Sequence, residues 1–280
     1  MTQAYNRLKT PAGIAAGQPA TVDIDLGYDY HRFDIFMKDG AGLIAEANWG
    51  ANIGEIRLMV DGDAKITIDA ADLVSLNKYY GHSHGDGVLP LFLDRRQMRT
   101  ALGTEQTAYN TNGGMTSFNL EIDLKSGITI GEFYVSAVQS DGIYPQGHAF
   151  EGQPKPFGAH LRIQKFHHNQ GIIGQAEITD IPRGKYAMFA THFKTNAITA
   201  VEIHQNQRRF KNFADLELMN EDLKMAGRFP QAGFTHVDYV TSNLLRDTLP
   251  MAVSDHRVKA TFGATAAVPF YVESIQGNFV

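Results

Sequence analysis

Residues 56–62 read Ile-Arg-Leu-Met-Val-Asp-Gly, and residues 65–73 continue with Lys-Ile-Thr-Ile-Asp-Ala-Ala-Asp-Leu. A similar pair of segments recurs later, as Val-Glu-Ile-His-Gln-Asn at 201–206 and Arg-Phe-Lys-Asn-Phe-Ala-Asp-Leu at 209–216. Each pair predicts a strand, a turn, a second strand and a short helix that opens at Ala-Asp-Leu. A repeat with so long a period indicates a duplicated domain rather than a solenoid of short repeats.

Most of the remaining chain is typical of short strands separated by glycine-rich loops. Residues 22–26 and 118–124 alternate apolar with polar side chains, which is the pattern of a strand with one solvated face. Asp61 and Gly62 lie between two such runs and predict a tight hairpin turn. Many short strands with turn signals between them favour a sandwich or a barrel.

Two short helices are predicted to interrupt the strands at corresponding places in the two halves. Asp69 can cap the first helix, which is expected to end at Gly81. Asn212 can cap the second helix, which is expected to end at Gly227. The linker between the halves is expected within residues 142–157, which are rich in proline and glycine.

These patterns predict an all-β fold of two tandem eight-stranded jelly-roll barrels, a double jelly roll with short helices in the connections. Two cupin-like barrels are the alternative. The first jelly roll, with an N-terminal arm, is expected at residues 1–150 and the second at residues 151–280. In a chain of 280 residues, each half is large enough to bury its own core.

The composition excludes several classes of function. The formal net charge is −5 and the basic clusters are short, so direct binding to nucleic acid is not expected. The chain has no cysteine, which rules out disulfides, thiol nucleophiles and cysteine-bound zinc. No apolar run reaches the ~18–20 residues of a membrane span, and the first residues lack the apolar core of a signal peptide.

Gly-His-Ser-His-Gly at residues 81–85 matches the G-x-S-x-G pattern of a nucleophile elbow. The predicted helix precedes this serine and the predicted strand follows it, which is the reverse of the order in an elbow. His82, His84 and Asp86 also suggest a cupin metal site. A catalytic metal usually needs three protein ligands, and Val88 lies where the cupin glutamate is expected. A flexible loop that could contact a partner is therefore the favoured interpretation of these residues.

Asp61 and Asp63 are candidate metal ligands, because calcium binds clustered carboxylate oxygens. The complete pattern of a calcium loop is absent, so a hairpin turn is the favoured interpretation. Trp49, the single tryptophan, lies among small residues. It is equally a candidate interface anchor and a candidate for a ring folded over the end of a barrel.

The second half contains a more specific series of segments. Residues 175–186, Gln-Ala-Glu-Ile-Thr-Asp-Ile-Pro-Arg-Gly-Lys-Tyr, lead into Ala-Thr-His-Phe-Lys at 190–194. Further segments of the series lie at residues 197–203 and 209–213, and in the first half at 14–17, 100–104 and 118–124. In their order and spacing, these segments resemble the major capsid protein of corticoviruses.

The resemblance implies a structural protein without an active site, the major capsid protein of a tailless icosahedral phage with an internal membrane. Three copies would form a homotrimer, a pseudo-hexagonal capsomer, because two similar barrels per chain give six lobes. Further partners would be other copies in the capsid lattice, vertex or penton proteins, and membrane-associated virion proteins. The expected location is the virion capsid, after synthesis in the cytoplasm of a bacterial host.

The resemblance also implies that the N-terminal arm, with Arg7 and Lys9, lies close to the viral membrane. No cofactor is required, and structural calcium is suggested by the family without ligands that can be matched here. Two other functions stay open. His82 and His84 motivate a bicupin-type metalloenzyme, and Trp49 motivates a carbohydrate-binding jelly-roll protein.

Overall fold

The structure is a computed structural model that describes residues 3–40, 42–100, 107–144, 146–147, 149–153, 155 and 158–276. The chain divides into two compact units. Unit 1 consists of Met1–Asn77 and His82–Leu161, and unit 2 consists of Lys78–Gly81 and Arg162–Val280. The boundary predicted after residue 150 precedes the division that the structure shows after Leu161.

Unit 1 contains two antiparallel sheets. Its strands, within the described residues, are β1 (Ala4–Arg7), β2 (Pro19–Asp23), β3 (Tyr28–Asp39), β4 (Gly42–Leu43), β5 (Ile53–Val60), β6 (Asp63–Asp69), β7 (Val88–Phe92), β8 (Tyr109–Asn110), β9 (Phe118–Leu124) and β10 (Ile130–Asp141). One sheet has the order β1-β10-β3, with β4, β7 and β8 also paired to β3. The other has the order β6-β5-β9-β2. The helices are a 3-10 turn (Glu46–Asn48), α1 (Trp49–Asn52) and α2 (Ala70–Tyr79), whose last residues belong to unit 2.

Unit 2 also contains two sheets. Its described strands are β11 (His160–Gln170), β12 (Gly174–Ile178), β13 (Tyr186–Phe193), β14 (Ile198–Gln205), β15 (Arg208–Phe213), β16 (Thr235–Asp238), β17 (Leu249–Pro250), β18 (His256–Phe262) and β19 (Ala266–Gln276). One sheet has the order β16-β13-β19-β11, with β17 also paired to β13, and the other has the order β12-β18-β14-β15. The helices are α3 (Leu216–Met225) and a 3-10 turn (Leu245–Asp247).

The two units share one topology. The main strands of unit 1 have the orders β1-β10-β3-β7 and β6-β5-β9-β2 in its two sheets. The corresponding orders in unit 2 are β11-β19-β13-β16 and β15-β14-β18-β12. Each described unit thus has the same eight main strands in the same sequence, with short extra strands beside them. The predicted duplication and the predicted double jelly roll are confirmed.

The duplicated hairpin follows from the chemistry of its turns. Asp61 and Gly62 join β5 to β6 with φ of 51° and 81°, and Asn206 and Gln207 join β14 to β15 with φ of 48° and 64°. Two successive residues with positive φ form the type I′ turn that matches the twist of a two-residue hairpin. Asp61, Gly62 and Asn206 are residues that tolerate this backbone, so the sequence places each turn and fixes the register of the strands beside it, although Gln207 is a longer side chain in the same conformation.

Each of the two helices ends two residues before the glycine that the sequence predicts as its stop. Gly81 and Gly227 both have a φ near the left-handed region, at 75° and 77°, where an L side chain is strained. The predicted cap of α3 is wrong. Asn212 lies inside β15, and the cap is Asp215, whose side chain accepts a 2.8 Å hydrogen bond from the backbone N–H of Glu217. Asn212 cannot cap the helix because it pairs with Glu202 of β14, and this strand pairing continues to Phe213.

The cores follow from the period of the strands. In β9, Phe118, Leu120, Ile122 and Leu124 are buried while the residues between them are partly exposed. Burial of one such side chain contributes about 1.5–3 kcal/mol to the free energy of folding. No helix in the described part of the chain is both long and apolar enough to span a membrane.

Candidate functional site

Asp61 fastens the β5–β6 turn to the segment that precedes β9. Its Oδ1 accepts hydrogen bonds from the backbone N–H of Thr116 (2.8 Å), the hydroxyl of Thr116 (2.7 Å) and the backbone N–H of Ser117 (2.8 Å). The hydroxyl of Thr116, and then the two N–H groups, hold the pKa of Asp61 below its ordinary value. Asp63, on the other side of the turn, accepts a 2.6 Å bond from Lys65. Both carboxylates are thus engaged by protein donors.

These two aspartates are the metal ligands predicted from the sequence. Across the residues that the structure describes, no group of three or more His, Asp or Glu side chains is arranged to hold a metal ion. The geometry gives Asp61 a structural task, to hold a turn against a neighbouring loop. Structural calcium stays a prediction without assigned ligands.

The loop of His82, His84 and Asp86 is held against the segment that contains Glu46. The ring of His82 lies 4.4 Å from the ring of Phe92, measured between centroids. His84 Nε2 lies 3.6 Å from a carboxylate oxygen of Glu46, and Asp86 Oδ1 accepts a 3.2 Å hydrogen bond from the Glu46 backbone N–H. The structure brings His84 and Asp86 together around Glu46, and it directs His82 towards an aromatic ring.

Trp49 is the first residue of α1 and its side chain is fully buried. Its Nε1 has no hydrogen-bond partner among the described residues. The next residue, Gly50, allows α1 to approach α2 closely, because a Cβ added there would lie 2.7 Å from the Cβ of Ala71. In the single chain the ring of Trp49 therefore lies in the interior of unit 1.

Unit 2 contains a set of buried polar side chains that the sequence analysis did not find. We call it the buried polar cluster, and its members are Tyr79, Tyr80, His192, Arg228, His236, Asp238 and Glu273. They come from the end of α2, three strands and the segment after α3. Polar residues inside apolar strands, such as Thr-His-Val-Asp at 235–238, are the signal that could have indicated it.

Asp238 and Arg228 form one half of this cluster. Arg228 Nε donates a 2.8 Å hydrogen bond to Asp238 Oδ2, and a second guanidinium nitrogen donates to Asn243 Oδ1 at 2.7 Å. The hydroxyl of Tyr79 donates to the same Asp238 oxygen at 3.2 Å. Burial, and then the negative charge of Asp238, raise the pKa of Tyr79 well above its ordinary value, so this phenol is a neutral donor.

Two histidines form the other half. His192 on β13 lies directly opposite His236 on β16, and their Nδ1 atoms are 2.7 Å apart. The ring of Tyr79 stacks on His236 with centroids 4.2 Å apart. Burial, and then the neighbouring His192, hold the pKa of His236 well below its ordinary value, so the imidazole is neutral at neutral pH.

The helix α3 has an exposed apolar surface in addition to its buried one. Met219 and Leu223 are buried, whereas Leu218 and Met225 are 71% and 84% exposed. Leu218 and Met225 are seven residues apart and therefore lie on one face, which we call the α3 outer face. Phe229, shortly after the helix, is also 57% exposed. Large exposed apolar side chains that cluster on one element indicate a surface that contacts another molecule.

Two jelly rolls with one strand order in a single chain define the class of double jelly-roll proteins. The chain is similar in structure to the major capsid protein P2 from bacteriophage PM2, with 17% identity, a TM-score of 0.85 and coverage of 99% of this chain and 98% of that chain. It is also similar to a chain in the atomic structure of Sulfolobus Turreted Icosahedral Virus, with 8% identity, a TM-score of 0.69 and coverage of 100% and 92%. The PBCV-1 virus capsid gives 10% identity, a TM-score of 0.63 and coverage of 98% and 94%.

These structural likenesses show the fold, and the family is shown by sequence. The models of the viral coat protein P2 N-terminal domain and C-terminal domain match residues 5–140 and 160–278. The chain belongs to the viral coat protein P2 family. It is a viral coat protein, a structural component of the virion capsid that assembles into a lattice with its own copies, and it is not an enzyme. No curated protein sequence matches the chain.

The family membership decides between the functions that the sequence left open. The capsid protein is confirmed, and the bicupin-type metalloenzyme is set aside together with the carbohydrate-binding protein. The segments at residues 175–213 that resemble the corticovirus coat protein lie inside the match to the C-terminal domain.

Proposed function

We propose that the chain assembles as a homotrimer that acts as a pseudo-hexagonal capsomer. The observation that supports this is the shared order of eight main strands in the two described units. Three chains with two such units each supply six similar units, which is the number that a hexagonal lattice position needs. A single jelly roll would have to form a hexamer to fill the same position.

We infer that the α3 outer face takes part in contacts between copies. Leu218 and Met225 expose most of their surface, and a coat protein is surrounded by other copies in its lattice. Burial of two such side chains at an interface would contribute about 1.5–3 kcal/mol each. The complete interface of an obligate trimer is expected to bury more than about 2,000 Å².

The test is the solution mass of the purified chain by light scattering. A trimer has three times the chain mass of 30.9 kDa, and the double substitution Leu218→Glu with Met225→Glu is expected to lower the assembled fraction at least tenfold. Lys224→Ala, in the same turn as Met225, is the matched control and is expected to assemble like the unsubstituted chain. A monomer or dimer at all concentrations would overturn the trimer, and normal assembly of the double variant would overturn the contact.

Calcium, membrane contact and the vertex partners are further proposals. Light scattering with calcium and with a chelator tests the ion, since a trimer that dissociates in chelator needs a bound cation. The predicted N-terminal arm lies on unit 1, where Ala4–Arg7 pair with β10 and Arg7 stacks 4.0 Å from the ring centroid of Tyr134. Flotation with anionic vesicles tests membrane contact, and a chain that stays unbound at low salt would count against it.

A further inference from the structure

The protonation state of the His192–His236 pair follows from one backbone group. The N–H of Gln231 donates a 3.2 Å hydrogen bond to His236 Nε2. A backbone N–H is always a donor, so Nε2 must be the unprotonated nitrogen of this ring. Neutral His236 therefore carries its proton on Nδ1.

The second ring is determined by the first. His236 Nδ1–H faces His192 Nδ1 at 2.7 Å and donates to it, so His192 carries its own proton on Nε2. That nitrogen lies 3.6 Å from Glu273 Oε1, and Oε2 of Glu273 accepts a 2.6 Å bond from the hydroxyl of Tyr80. Each group thus donates to the next in one direction, from the Gln231 N–H to His236 and from His236 to His192, and the Nε2–H of His192 lies beside the Glu273 carboxylate.

This arrangement leaves one place for an additional proton. One proton is shared between the two Nδ1 atoms and a second is on His192 Nε2, so a third must go to His236 Nε2. That atom is the acceptor for Gln231, and once it is protonated the two N–H groups point at each other. Acid must therefore break the bond between His236 and the backbone of Gln231.

The groups around the pair oppose the new charge more than they favour it. Tyr79 stacks on His236, and Tyr271 lies opposite His192 on β19. The charged neighbours in the cluster and beside it are Glu273, Asp238, Arg228 and Lys211. Asp238 is paired with Arg228, which leaves Glu273 as the carboxylate that faces the rings. The pair is buried, and burial disfavours an imidazolium.

We propose that the His192–His236 pair is an acid-sensitive latch for residues 230–234. When His236 Nε2 takes up a proton from solvent, the bond to Gln231 breaks and the backbone of Gln231 is released from the ring. The other hydrogen bonds of the segment run from Gln231 Nε2 to the Phe229 carbonyl (2.6 Å), from the Gly233 N–H to Asn196 (3.2 Å) and from the Phe234 N–H to the Gln231 carbonyl (3.2 Å). The ring of Phe234 also stacks on that of His236, with centroids 5.4 Å apart, so the expected release concerns the Gln231 backbone. The latch is a property of the single chain and does not depend on the proposed trimer.

The experiment is hydrogen exchange of the Gln231 amide in the full chain, measured by NMR as a function of pH. Uptake of a proton at His236 Nε2 requires the bond to Gln231 to open, so the protection factor of Gln231 is expected to fall by up to about tenfold per pH unit as the pH decreases. The amide of Tyr239, which bonds to the carbonyl of Phe189 at 2.8 Å, serves as the reference and stays protected.

Two variants separate the latch from general acid sensitivity. His236→Gln keeps an acceptor near the position of Nε2 without a titrating group, so Gln231 is expected to stay protected in acid. His256→Gln removes the other deeply buried histidine of unit 2, which has no bond to residues 230–234, and it is expected to keep the loss of protection.

The tautomers of the unsubstituted chain provide an independent measurement. Nitrogen-15 spectra of the imidazoles at neutral pH are expected to show His236 protonated on Nδ1 and His192 on Nε2. The opposite tautomers would overturn the proposal even if both variants failed to fold. A Gln231 amide whose protection does not depend on pH, or that opens in His236→Gln as it does in the unsubstituted chain, would overturn it as well.

Discussion

Arg228 Nε donates a 2.8 Å hydrogen bond to Asp238 Oδ2 in the interior of unit 2, where both side chains are almost fully buried. The bond joins the segment after α3 to the end of β16. A buried ion pair adds little net stability compared with a well-packed apolar pair, but each partner makes the burial of the other possible.

Arg228→Met is expected to lower the free energy of unfolding by about 3–5 kcal/mol, because Asp238 would remain buried without its cation. Urea denaturation at pH 7 measures the change. Lys224→Ala removes one partner of the exposed Lys224–Glu221 pair and is expected to change stability by less than about 0.5 kcal/mol. Equal effects of the two substitutions would contradict the structural role assigned to the buried pair.

Asp61→Asn is expected to destabilise the chain at pH 7, since an amide accepts the bonds from Thr116 and Ser117 less strongly than a carboxylate. The pKa of Asp61 is lowered in the folded chain, so its contribution is complete above about 3.9, the unfolded pKa, and is lost as the pH falls further. Denaturation at pH 7 and pH 3 should show the difference between variant and parent shrinking in acid. Asp63→Asn leaves the Thr116 bonds in place, and the same pH dependence in that variant would argue against this explanation.

Gly131→Ala is expected to be destabilising by about 1–3 kcal/mol or more, because an added Cβ would lie 1.6 Å from the carbonyl oxygen of Gly40. Gly131 sits at an irregularity in the pairing of β10 with β3, so the clash would displace a strand of the unit 1 sheet. Gly85→Ala meets no atom within 4 Å and is the control, with an expected change within about 0.5 kcal/mol. Thermal denaturation of both variants measures the contrast, and similar melting temperatures would refute it.

Acid is expected to destabilise unit 2 through His256. Burial lowers the pKa of His256 to about 4, and neither ring nitrogen has a hydrogen-bond partner among the described residues. The unfolded chain binds a proton near pH 6.5, whereas the folded chain does so only near the lowered pKa, so stability falls as the pH decreases between these values. The loss from this residue is up to about 3 kcal/mol. His256→Asn should flatten the pH dependence of urea denaturation between pH 6.5 and 4, and an unchanged slope would show that His256 is not responsible.

Much of the fold could be predicted because its signals are local. The turn at Asp61 and Gly62 and the alternation in residues 118–124 depend on neighbours in sequence, and both are found where they were predicted. The prediction of Asn212 as the cap of α3 was wrong because it, too, used only local signals. Its local chemistry suits a helix start, but the pairing of β15 with β14 extends to Phe213 and moves the helix to Leu216.

The sequence by itself determined that the chain is a duplicated β protein with a short helix in each half, since periodicity, turn residues and the repeat at residues 56–73 and 201–216 act over short distances along the chain. The tertiary structure decided which polar residues meet. His192 reaches His236 through the register of β13 and β16, and Arg228 reaches Asp238 across the segment after α3. Such contacts depend on strand order and register between distant segments, which set whether a polar side chain is solvated or buried with a partner.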